Sequence, residues 1–237
     1  MNKRQEVRSK RRQTESRQRL YTIIIIIAGA LLIVGVLIYP NLKPIGNITT
    51  PPAANRPLVI DNTLGDPNAP VIVEEYADFQ CPACASWSQN IEKQFLEKYV
   101  QTGKVQFKFH VFSFIDDRST TQESKNAAAA AYCAMDQGKF WEYHDILYAN
   151  QTGENVGDFN DRRLAAFAGK LELNMSQFNS CYSSGKYTQR VAEEKAAAEK
   201  LKIGSTPSFV VNGKLVPLVK FSDLDAAIDA ALAAKSN

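Results

Sequence analysis

Two cysteines, Cys81 and Cys84, stand where a predicted β-strand gives way to a predicted α-helix. Residues 71–76 are rich in β-branched side chains and predict a largely buried strand. Pro82 suits the first position of a helix, where its missing N–H costs nothing. Apolar residues then recur every three or four positions, as on a helix with one buried face: Cys84, Trp87, Ile91, Phe95 and Tyr99. The sequence therefore predicts a Cys-x-x-Cys motif with Cys81 at a helix N-terminus.

This placement meets the chemical needs of a redox dithiol. One thiol must ionise and attack, and a second must lie within one helical turn to resolve the mixed disulfide. The free N–H groups and the dipole of the helix favour a thiolate at Cys81, whereas Cys84 lies on the apolar stripe. We therefore predict that Cys81 is the nucleophile and Cys84 the resolving cysteine. Half of a zinc site is the alternative, but no second such pair exists and no metal is expected.

The charge of the chain is divided unevenly along its length. Residues 1–20 carry eight Lys or Arg against Glu6 and Glu15, a net charge of +6. The chain as a whole has 28 basic and 25 acidic residues, so the remainder is slightly acidic. Because the folded part is slightly acidic, it lacks the excess of positive charge that nucleic-acid binding requires. No nucleic-acid partner is therefore expected.

The basic arm is followed by an apolar stretch over residues 21–39 that contains no charged residue. As a helix it would span roughly 28 Å, which matches the hydrocarbon core of a bilayer. Basic residues beside such a span mark the cytoplasmic side. A cleaved signal peptide is the alternative, but the stretch exceeds the usual apolar region, and its only Ala-x-Ala, residues 28–30, sits in mid-span. We predict an uncleaved signal anchor in the cell membrane, with the N-terminus cytoplasmic and the rest extracytoplasmic.

The apolar stretch leads into a single folded domain. Residues 40–57 are rich in Pro, Asn, Thr and Ala without an apolar period, which predicts an extended linker. The domain is expected over residues 58–237, with a short first strand at residues 57–60.

Later segments combine strands with helices. Period-two alternation predicts a strand at residues 105–112, and Asn212-Gly213 predicts a hairpin turn between residues 208–211 and 214–216. Helical patterns occupy most of the remaining sequence: residues 124–150, 161–171, 175–202 and 224–234. The predicted fold class is α/β.

Three segments resemble the DsbA-like family of thioredoxin-fold thiol-disulfide oxidoreductases. They are residues 69–84 (APVIVEEYADFQCPAC), 137–141 (QGKFW) and 204–209 (GSTPSF). The resemblance extends over residues 58–234. It implies a thioredoxin fold with an α-helical insertion at about residues 119–200, preceded here by the predicted transmembrane helix.

The resemblance also implies roles for particular residues and partners. Thr206 and a cis Pro207 are expected to face the cysteines and to hold substrate peptide. Glu75 matches a buried acid that relays the proton of Cys84 in relatives, although a solvated strand-edge Glu is the alternative. Expected partners are exported protein substrates, the membrane, and a quinone-linked membrane oxidoreductase of the DsbB or vitamin K epoxide reductase type. No cofactor is expected.

The other two cysteines, Cys133 and Cys181, are predicted on apolar helix faces. Two buried free thiols are one interpretation. Outside the cytoplasm a proximal pair usually oxidises, and some anchored relatives carry a structural bridge at similar positions. We therefore expect a structural disulfide between Cys133 and Cys181.

Three functions remain open at this point. The first is an enzyme that introduces disulfide bonds into exported proteins. The second is a disulfide reductase or isomerase with the same site, because Ala83 stands where strongly oxidising family members often have a histidine. The third is a tethered peptide-binding module without turnover, in which the Cys81–Cys84 bridge is only structural.

Overall fold

The structure is a computed structural model, and it describes residues 20, 22–36, 45–217 and 220–235. The chain divides into two compact units, with the boundary between Gly46 and Asn47. In the first unit a helix, α1, runs over residues 22–36 with exposed apolar side chains. Within the described residues, no helix meets both the length and the apolarity needed to cross a bilayer. The basic arm, apart from residue 20, and residues 21 and 37–39 of the predicted anchor lie outside the described residues.

The second unit is built on one mixed sheet of five strands in the order β1-β3-β2-β4-β5. The β2–β3 pair is parallel and the other pairs are antiparallel. The strands are β1 (Thr63–Leu64), β2 (Val71–Ala77), β3 (Val105–Val111), β4 (Ser208–Val211) and β5 (Lys214–Leu215). Strands β2 and β3 and the hairpin follow the sequence prediction. Asn212 and Gly213 both have positive φ, as a tight two-residue hairpin turn requires.

The first strand lies later than predicted. We expected it at residues 57–60, but the paired residues are Thr63 and Leu64, which lie against Lys108 and Phe107 of β3. Leu58 and Asp61 have φ values of 44° and 54°, in the left-handed region. A chain that turns at both positions cannot run as an extended strand between them.

The helices follow the predicted pattern with three interruptions, the first of which lies at Ile91. The predicted helical stretches over residues 124–150 and 175–202 are each split in two. Gly138 and Gly185 have positive φ at these breaks, which ends a right-handed helix. The helices are α2 (Pro82–Asn90), α3 (Glu92–Phe95, continued as a π-helix over Leu96–Val100), α4 (Glu123–Met135), α5 (Phe140–Ala149), α6 (Asp161–Lys170), α7 (Met175–Ser183), α8 (Thr188–Lys200) and α9 (Phe221–Lys235).

Five of these helices, α4 to α8, lie between β3 and β4 in the chain, which confirms the α/β class and the helical insertion. Alternate residues of β2 point to opposite faces of the sheet. Val71, Val73 and Glu75 share the face covered by α2, α3 and α5, while Tyr76 joins Ala198 of α8 in a separate apolar cluster. The sheet thus separates two apolar layers, and the cysteine motif belongs to the first.

A disulfide joins Cys133 of α4 to Cys181 of α7, as predicted. Because it closes a loop of 48 residues in the unfolded chain, we expect Cys133→Ala/Cys181→Ala to lower the free energy of unfolding by about 2–4 kcal/mol. This corresponds to a fall in Tm of roughly 5–15 °C. Thermal unfolding followed by circular dichroism measures the difference. Equal Tm values for the oxidised wild type and the double variant would contradict a stabilising role.

Candidate active site

The two free cysteines lie at the N-terminus of α2. Cys81 is the N-cap residue, with extended backbone dihedrals, and Pro82 occupies the first helical position. The N–H of Cys81 donates to the carbonyl oxygen of Asp78, 3.0 Å away, which holds the turn that follows β2. Cys81 is 7 % exposed and Cys84 is fully buried one turn later. Cys81 is therefore the thiol within reach of a substrate, through a small opening.

The surroundings of the two thiols shift their pKa values in opposite directions, lowering that of Cys81 and raising that of Cys84. The pKa of Cys81 is lowered to about 6, although burial acts in the opposite direction. The largest lowering effect is a hydrogen bond from the Cys84 thiol. Contacts with Thr206 and with the backbone N–H groups of Cys84 and Ala83 add to it. Burial, together with the neighbouring charge of Cys81, raises the pKa of Cys84 well above its ordinary value. At neutral pH Cys81 is a thiolate and Cys84 a thiol, the division that a nucleophile and a resolving cysteine require.

This division predicts the pH dependence of Cys81 alkylation. In the reduced protein the iodoacetamide reaction rate should rise with a midpoint near pH 6 and level off above it, since only the thiolate reacts. Mass spectrometry of peptides after timed quenching measures the rate at Cys81. Cys84→Ala removes the main hydrogen-bond donor to the thiolate and should move the midpoint to higher pH. A midpoint that stays unchanged in Cys84→Ala would show that this donor is unimportant.

The loop before β4 faces the thiols. The Thr206-Pro207 peptide bond is cis, as expected. The carbonyl oxygen of Thr206 lies 3.4 Å from the Sγ of Cys81, and the Ser208 hydroxyl donates to the Ser205 carbonyl oxygen. This loop therefore lies next to the reactive sulfur.

Glu75 lies on β2 with only 1 % of its surface exposed, so the solvated alternative does not hold. Burial and then the charge of Glu92 raise the pKa of Glu75 well above its ordinary range. The charge of Glu75 in turn contributes to the raised pKa of Cys84. A buried carboxyl group with a raised pKa whose charge acts on Cys84 can exchange a proton with it.

Sequence reasoning missed a buried polar network in front of Cys81. The Asp78 carboxylate accepts from the Ser124 hydroxyl at 2.7 Å and the Gln80 N–H at 2.9 Å. The Gln80 side chain donates to Ser124 and Asp116, and Asp116 accepts the N–H of Ser124 at the start of α4. These bonds tie the turn before Cys81 to the helical insertion. The sequence held one signal for this network, namely the polar residues between the buried strand and the cysteine motif.

A second missed network lies behind α2 and begins in the predicted linker. Arg56 donates to both carboxylate oxygens of Asp145, at 2.8 and 2.7 Å, and to Oε1 of Glu92 at 2.9 Å. Nδ1 of His144 lies 2.9 Å from Asp145. All of these side chains are mostly buried. The second compact unit covers residues 47–237 and includes Arg56, whose charge balances two buried acids.

His110 lies on the other face of the sheet and forms a separate cluster. Its ring stacks on Tyr76 and pairs with Glu74 and Glu194. These partners outweigh burial and raise the pKa of His110 to about 9. The two histidines of the chain thus have unrelated surroundings, and only His144 lies on the side of the cysteines.

Comparison with known proteins assigns most of the chain to one family. Residues 59–230 match the family model described as Thioredoxin. The chain is 34 % identical over 171 residues to "Probable disulfide bond formation protein D" of Bacillus cereus, covering 70 % of this chain and 76 % of the relative.

Solved structures show the same arrangement of elements. Oxidised BdbD from Bacillus subtilis has a TM-score of 0.66 at 22 % identity, covering 73 % of this chain and 93 % of that one. Alpha-DsbA1 from Wolbachia pipientis has a TM-score of 0.63 at 25 % identity, covering 76 % and 95 %. The fold around the dithiol is therefore one that known disulfide oxidoreductases share.

Proposed function

Since this chain belongs to the thioredoxin family, as a DsbA-like protein-disulfide oxidoreductase, we propose that it introduces disulfide bonds into exported proteins. The observation that carries the oxidising direction is the likeness to "Probable disulfide bond formation protein D" of Bacillus cereus, whose name states that direction. The lowered pKa of Cys81 supplies the thiolate that exchange in either direction requires.

The proposed reaction starts from the Cys81–Cys84 disulfide. A substrate thiolate attacks the Sγ of Cys81 and breaks that bond, so that Cys84 leaves as a thiolate and takes a proton. A second substrate thiolate then attacks the substrate sulfur of the mixed disulfide, and Cys81 leaves as a thiolate. The substrate loses two electrons and the dithiol gains them. Glu75, which is buried beside Cys84, is the proposed donor of its proton.

Substrate peptide is proposed to bind in extended form along the loop of Thr206 and Pro207. The carbonyl oxygen of Thr206, 3.4 Å from the Sγ of Cys81, supports this proposal. An extended peptide can pair with such a backbone edge through main-chain hydrogen bonds, which do not depend on side-chain identity. This suits an enzyme that acts on many exported proteins.

The location and the electron acceptor are also proposals. The basic residues of 1–20 and the uncharged stretch 21–39 support a membrane anchor with the catalytic domain outside the cytoplasm. A quinone-linked membrane oxidoreductase of the DsbB or vitamin K epoxide reductase type would then reoxidise the dithiol. Labelling whole cells with a membrane-impermeant maleimide tests the location: reduced Cys81 should react without lysis, and labelling only after lysis would contradict it.

The reduction potential of the Cys81–Cys84 couple decides between oxidase and reductase. We would measure it on the full-length chain in glutathione buffers, with Cys133→Ala/Cys181→Ala as the control for the second disulfide. A value near roughly −120 mV, as in DsbA, supports disulfide formation. A value near roughly −270 mV, as in thioredoxin, would overturn it and favour the reductase, for which the Pro82-Ala83 dipeptide is the motivating feature.

A further inference from the structure

Two buried polar atoms face each other behind the active-site helix. Oε2 of Glu92 and Nε2 of His144 are 3.9 Å apart, and their side chains are only 3 % and 1 % exposed. Among the described residues neither atom has a hydrogen-bond partner. A separation of 3.9 Å exceeds hydrogen-bond length, yet a shift of about 1 Å in one side chain would close it. Unsatisfied buried atoms are costly, so this pair calls for a physical explanation.

The remaining atoms of the pair determine what it can hold. Oε1 of Glu92 accepts from Arg56, and Nδ1 of His144 lies at 2.9 Å from Asp145, where it donates if the carboxylate is ionised. In a neutral His144 the Nε2 atom is then an acceptor, and it faces a carboxylate acceptor. One proton added to Nε2 of His144 makes that atom a donor, which the carboxylate of Glu92 can then accept from. With that proton, the positive charges on Arg56 and His144 equal the two negative charges on Glu92 and Asp145.

The pair lies on the same side of the sheet as Cys84. Glu75 is in register with Phe109 on β3, and the ring of Phe109 lies 4.9 Å from that of His144. Glu92 is close enough to Glu75 for its charge to act on that carboxyl group. Glu75 thus shares one side of the sheet with Cys84 and with the Glu92–His144 pair.

The far side of the cluster reaches a cavity of about 790 Å³ that opens to solvent. Arg56, Glu92, Asp145 and Tyr148 contribute to its wall, together with residues 51–55. Small ions and buffer molecules can therefore approach the cluster without passing the opening at Cys81.

We propose that Glu92 and His144 form a proton-transfer pair that connects Glu75, beneath Cys84, with the solvent of this cavity. The proposal rests on the proposed dithiol chemistry. During substrate oxidation a proton passes from the pair through Glu75 to the Cys84 thiolate. During reoxidation the Cys84 thiol gives its proton to Glu75, the thiolate attacks Cys81 in the mixed disulfide with the oxidant, and the proton leaves through the pair. Each turnover moves one proton in and one out by this route.

Several other titratable or charged groups face this route and contribute to any pH profile. They come from the N-terminal segment, β2 and the turn after it, α2 and α5: Arg56, Asp78, Cys81, Asp145 and Tyr148. The test must therefore separate the Cys84 step from the ionisation of Cys81.

An aryl disulfide such as Ellman's reagent separates the two steps. The reduced full-length protein releases a first chromophore when Cys81 attacks the reagent and a second when Cys84 displaces it from the mixed disulfide. In Glu92→Gln and in His144→Asn we expect the second phase to slow by roughly tenfold or more and to lose its dependence on pH, with the first phase unchanged. In His144→Ala, imidazole entering through the cavity should restore the second phase. His110→Asn, on the opposite face of the sheet, is the matched control and should change neither phase.

The outcomes are distinguishable. A second phase that stays within about twofold of wild type in both variants would overturn the proton-transfer pair, as would equal slowing of both phases, which indicates a structural role. If Glu92→Gln does not fold, the His144 variants and imidazole rescue decide alone. A wild-type protein that releases no second chromophore contradicts the proposed dithiol chemistry itself, whereas failure of the relay leaves that chemistry intact.

Discussion

Replacing Cys81 with serine should lower the rate of peptide dithiol oxidation by at least about 10³-fold, because a hydroxyl cannot form or release the mixed disulfide at the stabilised thiolate position. The assay follows intramolecular disulfide formation in a peptide with two thiols, with the protein preoxidised and present at substoichiometric concentration under a constant oxidant. Retention of oxidising activity in Cys81→Ser would remove Cys81 from the mechanism.

Cys84→Ser is the matched control, since it removes the other sulfur of the same motif. Cys81, which is 7 % exposed, stays ionisable in this variant, while the group that resolves the mixed disulfide is absent. With a protein that has a single thiol as substrate and the oxidant present, we expect mixed disulfides between Cys81 and that protein to accumulate and to be visible by non-reducing electrophoresis. The reverse pattern, with trapping in Cys81→Ser, would exchange the roles of the two cysteines.

Replacing Arg56 with alanine should lower the free energy of unfolding by about 3–5 kcal/mol, since it leaves Glu92 and Asp145 buried without their cation. Loss of the guanidinium contact with the ring of Trp141, 5.0 Å away, adds to the effect. Urea unfolding measured by fluorescence gives the free energy. A chain that starts at Leu58 lacks Arg56 and should be destabilised to a similar degree relative to one that starts at Asn47.

Arg118→Ala is the control for removing an arginine. Arg118 is exposed at the end of a short 3-10 helix, Ile115–Arg118, and its loss should change stability by no more than about 0.5 kcal/mol. If Arg56→Ala costs no more than Arg118→Ala, the acids near Arg56 are compensated in another way and the domain begins after residue 56.

The elements nearest to the chemistry were predictable because their signals are local. A strand has a period of two, an amphipathic helix a period of 3.6, and a tight hairpin needs residues that tolerate positive φ. Strand β2, helix α2 and the turn at Asn212 and Gly213 each carry such a signal within a few residues. The helix breaks at Gly138 and Gly185 were missed because a glycine inside a helical pattern is often tolerated, and only the backbone conformation shows that these two end a helix.

Contacts between residues that are far apart in the sequence could not be predicted from local signals. The resemblance implied the closeness of Thr206 to Cys81 and the bridge between Cys133 and Cys181, whereas periodicity had no information on either. Arg56 carried no local signal at all, since a single cation in a Pro-rich stretch is typical of a solvated linker. Its role became visible only when Glu92 and Asp145 were found beside it in the interior.

The sequence by itself determined the reactive motif, the helix that begins at Cys81, the hairpin and the uncharged stretch near the N-terminus, since each depends on neighbours along the chain. Only the tertiary structure decided that Glu75 is buried, that Arg56 pairs with Glu92 and Asp145, and that His144 faces Glu92. Burial and charge pairing depend on which distant segments fold together. A side chain's pKa and its partners are therefore properties of the packed molecule.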